Sequence, residues 1–310
     1  MSTMIQTQAI LFPGQGAQSA GMGRDFAERF PEAKATFEEA DGALGFALSD
    51  ACWNRGDEVN RTDIAQPGIY TTSVAVVRVL EARGLDRRQL AFVAGLSLGE
   101  YTALWCAGAL DFVDGLRLVR LRGEAMQDAS TAKPSSMTSL MGATEEQARA
   151  LAAHAAAHGI CQVANLNGPG QVILSGELSA LDVAEAAAKD FGIRRTRRLV
   201  VAGGFHSECM RPAAERLARA LVEVPIRAPQ VPFASNVTGE LSSDPDAIRR
   251  QLADQVCSSV LWEKSMRLAL AQGVKTFLEP APGEVLAGIL RKIDESASIL
   301  SIARPEQVPA

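Results

Sequence analysis

The sequence predicts an α/β protein in which a small β-α-β-β-α-β unit is inserted into a larger α/β domain. Three observations predict it. Short apolar runs alternate with stretches of helical period nearly throughout. Between about Ser135 and Val200 the elements follow the split βαβ order of a ferredoxin-like unit. A chain of 310 residues, 47% hydrophobic and 22% charged, is ample for a buried core and too apolar to stay disordered. The expected division is a large domain from 1–133 and 201–310, and a small domain from 134–200.

The elements follow in order. Ala9–Phe12 is a short buried-strand candidate that stops at the breaker cluster Pro13-Gly14-Gln15-Gly16. A helix is predicted near Arg24–Ala40 and another over Ile69–Arg83, ended by Gly84. Leu90–Gly95 reads as a buried strand feeding a tight turn, followed by helices near Leu98–Ala107 and Phe112–Asp128. The inserted unit reads as strand Met137–Met141, helix Thr144–His158 and strand Ile160–Asn165. The hairpin signal Asn167-Gly168-Pro169-Gly170 comes next, then strand Gln171–Ser175, helix Ser179–Asp190 and strand Arg194–Val200. Beyond it lie a helix over Arg211–Val222, a short strand Pro232–Ala234, and helices near Ala247–Val256 and Glu263–Gln272. A strand Lys275–Leu278 and a last helix Val285–Lys292 complete the pattern.

Composition excludes several classes of partner. Lys+Arg total 31 against Asp+Glu 36, and a net charge of −5 argues against nucleic acid, whose binding needs a basic field. Met1 to Gln8 carries neither a basic nor an apolar region, so no signal peptide is expected. No apolar run approaches the ~20 residues of a membrane span. The five cysteines are scattered and never form a CxxC pair, and there are three histidines, so a zinc site is not expected. A reduced cytoplasm fits this cysteine usage.

The chemistry concentrates in Gly95-Leu96-Ser97-Leu98-Gly99, a G-x-S-x-G set between a predicted strand and a predicted helix. That setting is what a nucleophile elbow needs: the glycines allow the sharp turn, and the Ser97 hydroxyl stands at a helix N-terminus. A packing turn with an N-cap serine is the bland alternative. A serine nucleophile needs a base. His154 and His158 lie four apart on a predicted helix and read as a solvated face. His206 lies in Gly203-Gly204-Phe205-His206-Ser207, a glycine loop between strand and helix, and is the candidate base. Gly14-Gln15-Gly16 could open a dinucleotide fingerprint, but Ser19 stands where the third glycine belongs. Arg194, Arg195, Arg197 and Arg198 read as a solvated edge, or as a docking patch for an acidic partner.

The motifs together resemble the malonyl-CoA:acyl carrier protein transacylases, the stand-alone acyltransferases of fatty-acid and polyketide synthesis. The resemblance runs over nearly the whole chain. It rests on Phe12–Gln18, Gln66-Pro67, Gly95–Tyr101, Arg122-Gly123 with Met126-Gln127, Asn165-Leu166-Asn167, Gly204–Ser207 with Met210, Ser235–Gly239 and Gln255. It implies an α/β-hydrolase-like large domain with a ferredoxin-like small one, and transfer of malonyl from malonyl-CoA to acyl carrier protein through an acyl-serine. Coenzyme A is then part of a substrate, and no cofactor is implied.

The resemblance also implies residue roles. Backbone N–H groups of Gln15 and Leu98 would form the oxyanion hole. The main-chain carbonyl at Gln255 would orient His206, with Asp254 as a rival. Arg122 would face the malonyl carboxylate, unless it is a structural arginine tied to an acid such as Glu100. Phe205 would occupy the space an α-methyl needs, favouring malonyl over methylmalonyl. One departure stands out: the family usually has His before the nucleophile, and this chain has Leu96. A serine acyl hydrolase of the same architecture and a non-catalytic binding module remain alternatives at this point.

Overall fold

The computed structural model describes residues 8–309. The leader reading of Met1 to Gln8 lies, Gln8 apart, outside the described residues. The chain builds two four-stranded sheets. It begins with β1 (Gln8–Phe12), α1 (Arg24–Arg29), α2 (Pro31–Leu44), α3 (Leu48–Trp53) and α4 (Thr62–Glu81). Next come β2 (Phe92–Gly95), α5 (Gly99–Cys106) and α6 (Phe112–Ala132). The inserted unit holds β3 (Ser135–Met141), α7 (Glu145–Ala155), β4 (Cys161–Gly168), β5 (Gln171–Glu177), α8 (Leu178–Ala187) and β6 (Arg195–Arg198). The chain continues with α9 (Arg211–Glu223), α10 (Pro245–Gln255), α11 (Trp262–Ala271), β7 (Thr276–Pro280), α12 (Val285–Ile293) and β8 (Ser298–Ile302).

The first sheet has the order β2-β1-β7-β8 and is parallel throughout. β1 and β2 are covered on both faces, which is why Ala9–Phe12 and Phe92–Gly95 are continuous apolar or small runs rather than alternating ones. The second sheet is antiparallel, with the order β4-β5-β3-β6, in which the first and third strands of the βαββαβ unit are central and the second and fourth lie at the edges. α7 and α8 cover one face with a small core that includes Leu151, Leu174 and Leu181. The other face looks toward the large domain. This is the α/β-hydrolase-like domain with a ferredoxin-like companion expected from the sequence.

Several elements differ from the sequence reading. The helix expected over Arg24–Ala40 is two helices, because Phe30 before Pro31 is extended and Pro31 opens α2. α4 starts seven residues before Ile69 and runs through Pro67. Proline leaves the carbonyl four residues back without its helical partner. Here that carbonyl, on Asp63, accepts instead from the Arg120 guanidinium of α6. Pro232–Ala234 is not a full strand. Phe233 makes a single parallel bridge to Val93, and Ala234 a single antiparallel one to Leu241. α3 and β8 have no counterpart in the sequence reading.

Two features position the site. In β4 the register slips between Val163 and Asn165 and again between Leu166 and Gly168. Val163 and Leu166 therefore join the small core while Asn165 and Asn167 face the cavity between the domains. In α6, Gly123 lets α4 come close: a Cβ there would lie 2.6 Å from the Thr62 carbonyl oxygen. Gly123→Ala should push the two helices apart and displace its neighbour Arg122. We expect a loss of about 1–3 kcal/mol from this overpacking, read as a lowered Tm, with no change in the far-ultraviolet signature of the fold.

Candidate active site

Ser97 stands on the turn between β2 and α5. The turn exists because three backbones meet there with no room for side chains. A Cβ on Gly99 would lie 2.2 Å from the Phe12 carbonyl oxygen, and one on Gly95 would lie 1.9 Å from the Gly99 carbonyl carbon. Ser97 itself has φ of +52°. His206 has φ of +59°, and among the described residues these are the two non-glycine positions in the left-handed region. Such backbone is held only where the surroundings over-determine it. Around Ser97 the clamp is Asn236. Its Oδ1 accepts the Ser97 N–H at 2.7 Å, its Nδ2 donates to the Gly95 carbonyl at 2.8 Å, and its own N–H donates to Glu100 Oε1 at 2.7 Å.

The His206 loop is pinned by the inserted sheet. Gly204 N–H donates to Ser135 Oγ at 2.8 Å, Ser207 Oγ to the Gly204 carbonyl at 2.6 Å, and Ser175 Oγ to Ser207 Oγ at 3.2 Å. One sheet thus carries the serine and the other secures the histidine. His206 Nε2 lies 2.8 Å from Ser97 Oγ, and His206 Nδ1 lies 2.8 Å from the main-chain carbonyl of Gln255. A carbonyl only accepts, so Nδ1 carries the hydrogen and Nε2 is free to receive one. Burial first, and the positive charge of Arg122 second, hold His206 down at about 4. The imidazole is therefore neutral at pH 7. Asp254 is exposed on α10 and does not bond His206.

Leu98 follows the serine in the chain, and Gln15 lines the same cavity as Ser97. The Pro13–Gly16 loop presses on the elbow: Leu96 N–H donates to the Phe12 carbonyl at 3.0 Å, and a Cβ on Gly14 would lie 2.3 Å from the Leu96 carbonyl oxygen. Neither the Gln15 nor the Leu98 backbone N–H has an acceptor among the described residues. Two free donors beside a serine at a helix start are what an oxyanion requires.

Arg122 is 1% exposed and lies within the site. Nη1 donates to Gln66 Oε1 at 2.8 Å, while Nη2 donates to Gln255 Oε1 at 2.8 Å and to Ser97 Oγ at 3.0 Å. Its Nε has no partner. No carboxylate of the described residues comes within 4.0 Å of it. Glu100, the acid considered from sequence, is separated from it by the Gln255 amide, whose Nε2 donates to Glu100 Oε2. Burial lifts Glu100 to about 7, against the pull of the Asn236 N–H and the Gln255 amide. Arg122 is thus a buried cation held by three neutral oxygens.

The serine, the histidine and the arginine open on one cavity of about 700 Å³ between the domains. Phe205, 6% exposed, forms part of its wall beside His206. Leu96 joins Val285 and Ile289 of α12 in an apolar wall on the serine's side. The other sequence candidates lie elsewhere. His154 is exposed on α7 with its ring against Phe191, and His158 is exposed on the following turn. Arg198 pairs with Glu185 and Asp182, while Arg194, Arg195 and Arg197 are exposed. Asn236, Gln66 and Glu100 lie within the sequence motifs, which carry no sign of these contacts. Asn236 and Ser97 are 139 residues apart, and no local pattern announces their pairing.

Residues 10–306 match the family described as the acyl transferase domain. The chain belongs to the acyl transferase family. It is 39% identical over 302 residues to the malonyl CoA-acyl carrier protein transacylase of Bacillus subtilis, across 97% of this chain and 94% of the relative. The fold superposes on the acyl-carrier-protein-S-malonyltransferase from Bartonella henselae with a TM-score of 0.93 at 40% identity, covering 97% and 96% of the two chains. A malonyl-transacylase solved in complex with its type II PKS acyl-carrier protein aligns with a TM-score of 0.92 at 35% identity, covering 97% of each chain. This member of the acyl transferase family is an enzyme, and its serine, histidine and arginine share one cavity.

The depressed His206 value makes a test of the site's electrostatics. The unfolded chain takes up this proton near 6.5 and the folded one near 4. Stability contributed by this group is present above about 6.5 and is lost as pH falls toward 4. In an imidazole NMR titration His206 should stay neutral well below 6.5, and Arg122→Ala should raise its midpoint by removing the neighbouring positive charge. An unmoved midpoint in the folded variant would show that the two groups are not coupled.

Proposed function

We propose that this acyltransferase moves a malonyl group from malonyl-CoA to the phosphopantetheine thiol of an acyl carrier protein by a ping-pong cycle through a malonyl-serine at Ser97. The observation that carries the reading is Arg122. A guanidinium buried with neutral partners, 3.0 Å from the nucleophile, is a site waiting for an anion. The acyl group whose thioester carbon reaches Ser97 while a second carboxylate reaches Arg122 is a short dicarboxylic one. Malonyl fits, and a planar guanidinium suits bidentate carboxylate recognition. A hydrolase releasing varied acyl groups would have no use for such a clamp.

In the first half-reaction His206 Nε2 takes the Ser97 proton as Oγ attacks the thioester carbon. The negative oxygen is received by the Gln15 and Leu98 N–H groups. The carbon–sulfur bond breaks, and coenzyme A leaves as the thiol with the proton from His206. In the second half-reaction the carrier thiol gives its proton to His206 and attacks the serine ester. The carbon–oxygen bond breaks and the proton returns to Ser97 Oγ. The Gln255 carbonyl keeps the ring in one tautomer throughout. The cycle as written consumes no cofactor. Phe205 narrows the wall where an α-methyl group would project, so malonyl is the preferred acyl. We place the reaction in the cytoplasm on the cysteine usage, five scattered thiols all free and buried.

Intact-mass spectrometry tests the intermediate. Malonyl-CoA should add one malonyl unit, holo acyl carrier protein should remove it, and Ser97→Ala should carry none. An adduct surviving in Ser97→Ala would take the serine out of the mechanism.

Arg122→Ala should lose malonyl transfer while Ser97 still reacts with a neutral phosphonate. The selectivity for malonyl over acetyl should fall by about 2–5 kcal/mol, the range for breaking a buried charge pair. Arg122→Lys should recover part of it. The readout is kcat/KM for the two thioesters alongside a melting curve, and an unchanged ratio in folded protein would end the clamp.

A further inference from the structure

We propose that Glu100 is a positioning residue for acyl selectivity, acting through the side-chain amide of Gln255 to keep Arg122 poised and unneutralised. The proposal rests on the reading of Arg122 as the carboxylate clamp.

The two ends of a glutamine amide have nearly the same shape, so the surroundings decide which points where. On one side of the Gln255 amide lie three oxygens: Glu100 Oε2, the Ser97 carbonyl at 2.9 Å and Asn236 Oδ1 at 3.5 Å. On the other side lies the Arg122 guanidinium, whose Nη2 donates to Gln255 Oε1 at 2.8 Å. Turned over, the amide would set its oxygen against a carboxylate and its N–H groups against a cation. Two favourable contacts would become two repulsions at once. The Ser97 carbonyl and Asn236 Oδ1 are neutral. Glu100 is the charged member, wholly buried, and no cation of the described residues lies within 4.0 Å of it. Its other oxygen is occupied by the Asn236 N–H at 2.7 Å.

The spacing explains why the acid is one residue removed from the arginine. A carboxylate bonded directly to Arg122 would occupy the fork that the substrate is to take. At one amide's distance, Glu100 polarises the contact and supplies counter-charge to the empty site without filling it. The Gln255 main chain meanwhile keeps its separate task, accepting from His206 Nδ1 at 2.8 Å. One residue thus presents its backbone to the base and its side chain to the clamp, and Glu100 meets the side chain.

The test is Glu100→Gln, which keeps the shape and removes the charge, assayed at about pH 8 where a buried carboxyl of this kind is ionised in the parent. The malonyl to acetyl ratio of kcat/KM should fall at least about tenfold, as expected for losing a charge-assisted hydrogen bond. Because Glu100 also accepts the Asn236 N–H of the elbow clamp, labelling of Ser97 by a neutral phosphonate is followed in parallel, and the malonyl to acetyl ratio must fall by more than the labelling rate does. Glu100→Asp should lie between the two. Equal loss with both thioesters and with the label, beside a lowered Tm, would make Glu100 merely structural and overturn the proposal. An unchanged ratio in Glu100→Gln while Arg122→Ala changes it would overturn the relay and leave the clamp standing. If neither variant moves the ratio, the clamp itself fails and the relay with it. Should Glu100→Gln not fold, Glu100→Asp carries the test, its shorter side chain drawing the carboxylate back from the Gln255 amide. The same selective loss of malonyl is then required, and parallel loss of both acyl groups overturns the proposal.

Discussion

The site depends on a buried hydrogen-bond network that converges on Gln255. This residue ends α10, and it bonds the His206 ring, the Ser97 carbonyl, the Arg122 guanidinium and the Glu100 carboxylate. The groups it joins come from the β2–α5 turn, α6, the loop before α9 and α10 itself. Inside a protein each of these polar groups would be expensive to leave unpaired, so satisfying them together fixes the relative positions of four segments. Asn236 extends the network under the elbow and carries the strained Ser97 backbone. Rigidity at the reacting atoms is therefore a property of the network more than of any single element.

The same network leaves one thing incomplete. Arg122 is buried with neutral oxygens on three sides, an unpartnered Nε, and a carboxylate only at second remove. A buried charge without a counter-ion is unfavourable for stability, and functional sites are where such strain persists. Its field also reaches the base. Burial and the Arg122 charge together keep His206 neutral, the form that can accept a proton. On the proposed reading of Arg122, the guanidinium links choice of substrate to readiness of the base. Binding an anionic acyl group would neutralise the charge that depresses His206 and make the imidazolium easier to form at the moment it is needed.

The two sheets divide the work. The parallel sheet brings β1 and β2 together so closely that Gly99 must pack on the Phe12 carbonyl, and this raises Ser97 into the cavity. The antiparallel sheet supplies Ser135 and Ser175 to the His206 loop, and through the slipped register of β4 it turns Asn165 and Asn167 to the same cavity. β4 is bonded to the large domain as well, with Leu166 N–H donating to the Val260 carbonyl at 2.9 Å and Val260 N–H to Ala164 at 2.8 Å. The cavity is therefore bounded by backbone-tied elements on both sides, with α12 and Leu96 contributing an apolar stretch of wall.

By itself the sequence determined what is local. Apolar runs and their periods identified most of the strands and helices, the βαββαβ order identified the inserted unit, and G-x-S-x-G between a strand and a helix identified the elbow. Those patterns are legible because they report on neighbours within a few residues. It misread boundaries where distant groups intervene. α4 continues through Pro67 because Arg120 of another helix takes the freed carbonyl, and Pro232–Ala234 has too little pairing to become a strand. β8 escaped notice because its exposed edge residues dilute the apolar signal, its pairing with β7 supplying the rest. Ser97 and His206 could be nominated from their loops, but only the tertiary structure decided that they touch. It also chose the Gln255 carbonyl over Asp254 and set an amide between Arg122 and Glu100. Those contacts join residues 49 to 155 positions apart, and their geometry is settled by how two sheets and their helices close on one another.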